Sequence, residues 1–155
     1  MIKILQVSII LLLTLLTSSL VSARFSIPSY VYTVGQLDSA QSVARSSRLP
    51  ITFVYTDKNT DCGLCTAASK ELFNGLKSYS VVVYAEHKDW RNLPHVVQRS
   101  LNSPESGKYI PKTVIVDSDC KNMICVIPYA NTEQRRDLIK QAQELLSSYC
   151  TQRHK

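Results

Sequence analysis

Hydrophobic and polar positions change their spacing several times along the chain, and each change marks a predicted element. Short runs of apolar, β-branched and aromatic residues bounded by turn residues are typical of buried strands. Four such runs occupy 51–57, 80–86, 112–119 and 123–129. A further short strand fits around residues 30–33. These runs predict a sheet of at least four strands.

Apolar residues three and four positions apart predict helices between the strands. The predicted helices cover 36–47, a segment beginning at or near Cys62, 92–101, and a final segment ending near 148. In the second helix the predicted apolar stripe has four members: Leu64, Ala68, Leu72 and Leu76. Asn131, with Gln134 three residues later, fits the N-cap of the last helix.

The order of these elements predicts an α/β fold. A helix joins the runs at 51–57 and 80–86, and a right-handed crossover of this kind makes the two strands parallel. Only turn residues separate the last two strands, so we expect them to form an antiparallel hairpin. The prediction is a mixed central sheet with helices on both faces.

The first 23 residues differ in composition from the rest. Lys3 precedes an apolar core, and Ala23 completes a small-x-small pattern that signal peptidase accepts. We therefore predict a signal peptide at 1–23 and a single domain at 24–155. An uncleaved membrane anchor is the alternative, because the apolar region approaches the length of a membrane span. Polar residues within the region favour cleavage.

The charge of the chain is basic, with a formal net charge of +6 at pH 7. The lysines and arginines are scattered and do not alternate with aromatic residues, so they form no base-stacking platform. We expect no nucleic-acid partner. Contact with a membrane is expected only through the signal segment, if that segment stays uncleaved.

All five cysteines follow the signal segment: Cys62, Cys65, Cys120, Cys125 and Cys150. Export would place them in an oxidising compartment, where disulfides persist. Because the count is odd, at least one thiol is free or pairs with another molecule. With a two-residue turn, Cys120 and Cys125 would face each other across the hairpin, and a structural disulfide is predicted there. Cys150 is then the remaining thiol, although pairing with Cys120 stays open.

Two segments carry a resemblance to a known family. Cys62-Gly63-Leu64-Cys65 opens a helix directly after a buried strand, and Tyr109-Ile110-Pro111-Lys112 opens a later strand. Together with the hairpin and terminal helix, this order resembles the thioredoxin superfamily over about 36–149. The resemblance implies a thioredoxin-like three-layer sandwich in which Pro111 is cis and faces the cysteine pair.

The chain also departs from the classical members of that family. Asp61 and Leu64 stand where classical thioredoxins have Trp and Pro, and their buried acid has no clear counterpart near Thr56 and Asp57. The resemblance is therefore to a divergent, secreted thioredoxin-like protein.

The cysteine pair suits thiol chemistry on physical grounds as well. The thiolate is the reactive form, and a helix N-terminus stabilises an anion. Cys62 is the expected nucleophile and Cys65 the resolving thiol, while Ile110 and Pro111 would shape a groove for an extended substrate.

The expected function is a secreted or periplasmic thiol-disulfide oxidoreductase acting on protein thiols or disulfides. It would need no cofactor, but a separate redox partner would have to regenerate the pair. The alternative is a non-catalytic secreted binding module in which Cys62–Cys65 is a structural disulfide. No metal site is predicted, because zinc needs about four ligands and His87, His95 and His154 show no paired spacing.

Overall fold

The structure is a computed structural model that describes residues 25–152, so the predicted signal peptide and His154 lie outside the described residues. The fold is mixed α/β. Its strands are β1 (Tyr32–Thr33), β2 (Ile51–Tyr55), β3 (Val81–Ala85), β4 (Lys112–Val116) and β5 (Met123–Ile127). Its α-helices are α1 (Leu37–Ser47), α2 (Gly63–Leu76), α3 (His95–Leu101) and α4 (Thr132–Gln152). Three short 3₁₀ helices lie at Val34–Gln36, His87–Asn92 and Pro104–Ser106.

The five strands form one mixed sheet in the order β1-β3-β2-β4-β5. The β1–β3 and β3–β2 pairs are parallel, whereas β2–β4 and β4–β5 are antiparallel. The predicted parallel crossover and the predicted hairpin are both confirmed. The central position of β2 matters most for the site, because β2 leads into the helix that carries the cysteines.

Alternating strand residues pack into two separate hydrophobic cores, one on each face of the sheet. Phe53, Val83 and Val114 face helices α1 and α3, and we name that side the α1/α3 core. Val54 and Ile115 face α2 and α4, in the α2/α4 core. The period of two along each strand produces this division. The predicted helices on both faces are therefore confirmed.

Helix α2 buries a slightly different face from the one that the sequence predicts. Ala68, Leu72 and Leu76 are buried, but Leu64 is 71% exposed. Ser69 and Phe73 are buried as well. At a spacing of four residues, the buried face of the helix therefore extends back towards Cys65 in the first turn. Leu64 lies beside that buried face, and its assignment to the apolar stripe is wrong.

The hairpin turn also differs from the prediction. Six residues, 117–122, separate β4 from β5, instead of the two that the predicted disulfide requires. Cys125 pairs with Ile115 in the ladder and packs against the α2/α4 core. Cys120 lies in the turn with a φ of 55° and packs against the α1/α3 core. Both are free thiols, so the predicted Cys120–Cys125 disulfide is wrong.

The remaining differences concern the ends of elements. Residues 87–92 form a 3₁₀ helix that the sequence pattern does not reveal, and Pro94 is the N-cap of α3 instead of lying in its first turn. The Asn131 cap is confirmed, since its Oδ1 accepts the Gln134 N–H at 3.0 Å. Helix α4 extends to Gln152, beyond the expected end near 148.

Candidate redox site at the sheet edge

Two loops that the sequence singles out meet the same edge of the sheet. Tyr55, the last residue of β2, pairs directly with Lys112, the first residue of β4. The chain leaving β2 runs to Cys62, and the chain entering β4 contains Ile110 and Pro111. The β2–β4 register therefore brings both loops to one edge.

Cys62 and Cys65 form a disulfide, with their Cα atoms 5.2 Å apart. Cys62 is the N-cap residue of α2, and its Sγ accepts the backbone N–H of Cys65 at 3.2 Å. The first N–H groups of a helix have no partner within the helix, so the sulfur replaces the usual capping oxygen. Both cysteines are half-buried, and neither is enclosed in the core.

Two buried hydroxyl groups lie behind the cysteine pair. The Ser69 hydroxyl donates to the Cys65 carbonyl oxygen at 2.8 Å and lies 2.8 Å from the Thr56 hydroxyl. Since a serine has one hydroxyl proton, Thr56 must donate to Ser69. Asp57 is exposed, and its Oδ1 accepts the Asn59 N–H at 2.8 Å. The buried residue behind the pair is therefore the neutral Thr56, and the neighbouring acid is exposed.

A second polar network holds the loop before the cysteines. The Lys58 N–H donates to the Tyr84 hydroxyl at 3.3 Å, and that hydroxyl donates to Glu86 Oε2 at 2.8 Å. Glu86 is buried and forms an ion pair with the exposed Lys88. This network fixes the loop backbone to the end of β3.

Burial and the contacts within this network shift the pKa values of Glu86 and Tyr84. Burial alone would raise the pKa of Glu86, but hydrogen bonds from Lys88 and Tyr84 and the nearby Lys58 charge outweigh it and lower that pKa. Burial, followed by the hydrogen bond to Glu86, raises the pKa of Tyr84. Glu86 is therefore ionised at neutral pH and Tyr84 is a neutral donor.

Sequence reasoning missed both networks. Tyr84 and Glu86 are two positions apart at the end of a strand, so the period of two already places them on one face. What the pattern does not show is that the loop before Cys62 folds over that face.

The proline loop presents apolar surface to solvent. The Ile110–Pro111 peptide bond is cis, as the resemblance implies. Pro111 is buried, and Ile110 is half-buried. Tyr109 is 72% exposed and contacts Tyr129 edge to face at 6.3 Å between ring centroids. Tyr109 and Leu64 are the most exposed large hydrophobic side chains among the described residues. Tyr109 lies in the proline loop and Leu64 in the first turn of α2. Exposed apolar surface of this kind is typical of interaction sites.

The other candidate chemistry of the chain does not converge on this edge. Within residues 25–152 there is no group of three or more His, Cys, Asp or Glu side chains that could hold a metal ion. In the same range, no helix combines the length and the apolar character needed to cross a membrane. Cys150 donates its S–H to the carbonyl oxygen of Arg48 at 3.9 Å.

Comparison with known proteins gives no family for this chain. No protein-family model matches it, and no curated protein matches it significantly. Its function must be argued from the site.

Proposed function

We propose that this protein is an exported, thioredoxin-like thiol-disulfide oxidoreductase that acts on protein thiols or disulfides through Cys62 and Cys65. The observation that carries the proposal is a half-buried Cys-x-x-Cys disulfide at the N-terminus of α2, with the Cys62 sulfur accepting a backbone N–H. The sheet order and the helices on both faces are compatible with a thioredoxin-like fold. Export would use residues 1–23.

In the reduced protein, the site favours a thiolate on Cys62. The Cys65 N–H that Cys62 Sγ accepts would stabilise a negative sulfur, as would the positive end of the α2 dipole. The exposed Asp61 acts in the opposite direction, because a neighbouring carboxylate disfavours a second negative charge. We therefore expect a moderately nucleophilic Cys62 and a potential nearer the reducing end of the family's range.

Exchange then proceeds in two balanced steps. The Cys62 thiolate attacks a substrate disulfide, so that one substrate sulfur leaves as a thiolate and takes a proton from water. Cys65 loses its proton and attacks Cys62 Sγ, which closes the Cys62–Cys65 bond and releases the second substrate sulfur. Two electrons pass to the substrate, and the reverse sequence oxidises a substrate dithiol. A separate redox partner resets the pair, and no cofactor takes part.

The proline loop supplies the binding surface for the substrate. Pro111 offers no N–H, and an extended substrate segment would pair with the backbone of Ile110 in the manner of an added strand. Leu64 and Tyr109 would contact its apolar side chains, since both are largely exposed. This mode of binding tolerates many sequences.

The first test is the reduction potential of the cysteine pair. The protein is equilibrated in glutathione or dithiothreitol buffers, its thiols are alkylated, and the peptide masses are measured. We expect a value between about −270 and −120 mV, the range of working exchange catalysts. The matched control, Cys120→Ser, should leave the value unchanged, because Cys120 is not bonded to the pair. A value below about −300 mV would mark a structural disulfide and favour the binding-module alternative.

Replacing each cysteine of the pair in turn by serine tests the roles of nucleophile and resolving thiol separately. Cys65→Ser should accumulate a mixed disulfide with a disulfide-bonded peptide, because nothing resolves the first step. Cys62→Ser should form none and should lose about 100-fold or more in exchange rate, since the nucleophile is gone. If Cys62→Ser traps the peptide as well as Cys65→Ser does, the assignment of the nucleophile is wrong.

A further inference from the structure

A cavity lies on the α1/α3 side of the same end of the sheet, and neither Cys62 nor Cys65 lines it. Its volume is about 280 Å³, near the lower end for small-molecule pockets. It is lined by Tyr55, His87, Trp90, Leu101, Asn102 and Lys112. Four separate parts of the chain meet here, so the cavity exists only in the folded protein.

Aromatic side chains form the apolar wall of this cavity. Tyr55 and Trp90 contact each other edge to face, with ring centroids 6.2 Å apart. Lys112 is directly opposite Tyr55 in the β2–β4 ladder, so its side chain leaves the sheet on the same face. An apolar wall and a single cation therefore face the same space.

The Lys112 ammonium group is half-buried and bonded only to neutral oxygens. Its Nζ donates to the Leu101 carbonyl at 3.1 Å and to the Ser106 hydroxyl at 3.4 Å. None of the ion pairs in the described part of the chain includes Lys112. Burial lowers its pKa, which reflects the penalty on the charged form. An ammonium group has three donors, so one remains for a further acceptor.

Capping of α3 explains part of this arrangement. Leu101 is the last residue of α3, and a cation at a helix C-terminus is favourable. Capping does not account for the aromatic wall or for the cavity that Lys112 lines. Stability alone is consequently the wrong property to measure at Lys112.

One acidic group bears on the same cavity. Burial is the main cause of the raised pKa of Tyr55, and the negative charge of Asp89 is the second. The Tyr55 end of the cavity is therefore unfavourable for a bound anion. Asp89 Oδ2 accepts a hydrogen bond from the Glu86 N–H at 3.0 Å. The Lys112 end, where Asn102 also lines the cavity, is the favourable position for a negative group.

We propose that this cavity binds a carboxylate carried on an aromatic or similarly small apolar group. The carboxylate pairs with Lys112, and the apolar part packs against Tyr55 and Trp90. The same chemistry occurs in a free aromatic acid and in the last residue of a polypeptide. Binding does not involve the cysteines, so this proposal stands or falls independently of thiol exchange.

The test uses a signal that the chain provides, because Trp90 is its only tryptophan. Trp90 fluorescence is titrated with 3-phenylpropionate and with its neutral amide, on the oxidised protein. We expect saturable binding of the acid and at least about 10-fold weaker binding of the amide. Equal affinity for both probes, or no saturation with the acid, overturns the proposal without any mutation.

Variants then assign the binding to the cation. Lys112→Met should weaken the binding of 3-phenylpropionate at least about 10-fold. Lys108→Met should not weaken it, because Lys108 is exposed in the loop that precedes β4. Lys112→Arg keeps the charge and should retain measurable binding. If folded Lys112→Met binds the acid as tightly as the unaltered protein does, the proposal is wrong.

A peptide pair separates the two sources of the carboxylate. A pentapeptide ending in phenylalanine is compared with the same peptide amidated at its C-terminus. Tighter binding of the free-acid peptide than of 3-phenylpropionate assigns the cavity to a polypeptide end, and the reverse assigns it to a small acid. A peptide whose affinity does not change on amidation would contradict recognition of a terminal carboxylate.

Discussion

Glu86 is a buried carboxylate that keeps its charge because three neighbours favour the ionised form. Tyr84 donates to it, Lys88 pairs with it, and Lys58 adds a positive charge nearby. Burying an ion without such partners would be strongly unfavourable. The Tyr84 hydroxyl also accepts a hydrogen bond from the Lys58 N–H. The charge of Glu86 is therefore linked, through Tyr84, to the position of the loop before Cys62.

This residue gives the protein a predictable response to acid. Because the pKa of Glu86 is lowered in the folded state, the unfolded chain binds the proton more readily, and stability rises with pH through the carboxylate range. We expect the unaltered protein to gain stability relative to Glu86→Gln as the pH rises from about 3 to 6. Urea unfolding midpoints at several pH values measure this difference.

The matched control for that experiment is Glu105→Gln. Glu105 is exposed, so its removal should leave the pH dependence of stability nearly unchanged. A stability difference between the unaltered protein and Glu86→Gln that stays constant, or falls with rising pH, would contradict a lowered pKa at Glu86.

At the scale of the elements, the contact between α2 and α4 depends on Gly75. A Cβ atom at this position would lie 2.7 Å from Ile139 Cγ2, well inside contact distance. The Gly75 carbonyl also accepts the Gln143 side-chain amide at 2.8 Å. Glycine thus lets the two helices approach closely while they cover the α2/α4 core.

Gly75→Ala should therefore destabilise the protein, although alanine is the better helix former. Overpacking costs about 1–3 kcal/mol, and the gain in helix propensity is about 1 kcal/mol. Ile139 is β-branched and cannot easily turn its Cγ2 away. We expect a net loss of about 1 kcal/mol in the free energy of unfolding, measured with urea.

Two further variants make the Gly75 result specific. Gly63→Ala adds a Cβ that meets nothing within 4 Å, so it should not be destabilising. Ile139→Leu removes the branch at Cβ and should recover part of the loss when combined with Gly75→Ala. A neutral Gly75→Ala variant would show that α4 moves aside at little cost.

Most elements could be predicted from the sequence because apolar runs, helical spacing and caps are local signals. β2 and β3 are continuous apolar runs, and the Asn131 cap is a local signal. The errors arise where local pattern does not decide the structure. Leu64 has the right spacing for the stripe but falls beside the buried face, and the 3₁₀ helix at His87–Asn92 has no apolar period.

The candidate site was predictable only in its covalent chemistry. Cys62, Cys65 and Pro111 carry short motifs that can be read locally. The Thr56–Ser69 hydroxyl pair joins the end of a strand to a helix, and it depends on packing that the sequence pattern does not specify. The cavity at Lys112 requires four parts of the chain and gives no local signal.

For the molecule as a whole, the sheet separates two thiols that are close in sequence. Cys120 packs on one face and Cys125 on the other, and burial raises the pKa of Cys125 to about 11. The native protein should therefore form no Cys120–Cys125 disulfide in oxidised glutathione. Cys125 should also be alkylated about 100-fold more slowly than an exposed thiol at neutral pH, since its thiolate is scarce.

Peptide mapping measures this directly. Lys121 lies between the two cysteines, so a disulfide would join two tryptic peptides that otherwise separate. The same protein oxidised in denaturant provides the positive control, because the unfolded chain has no sheet to hold the two thiols apart. A joined peptide pair from the native protein would show that the hairpin opens under native conditions.

The position of the Cys62–Cys65 bond also determines how much of the fold depends on it. The bond closes a loop of only four residues, and in the chain-entropy account so small a loop contributes about 2 kcal/mol. The β2–β4 ladder contains neither cysteine, and the buried contacts of α2 lie further along the helix. We therefore expect reduction of the bond to free only the first turn of α2. The oxidised and reduced forms should then share the same two cores.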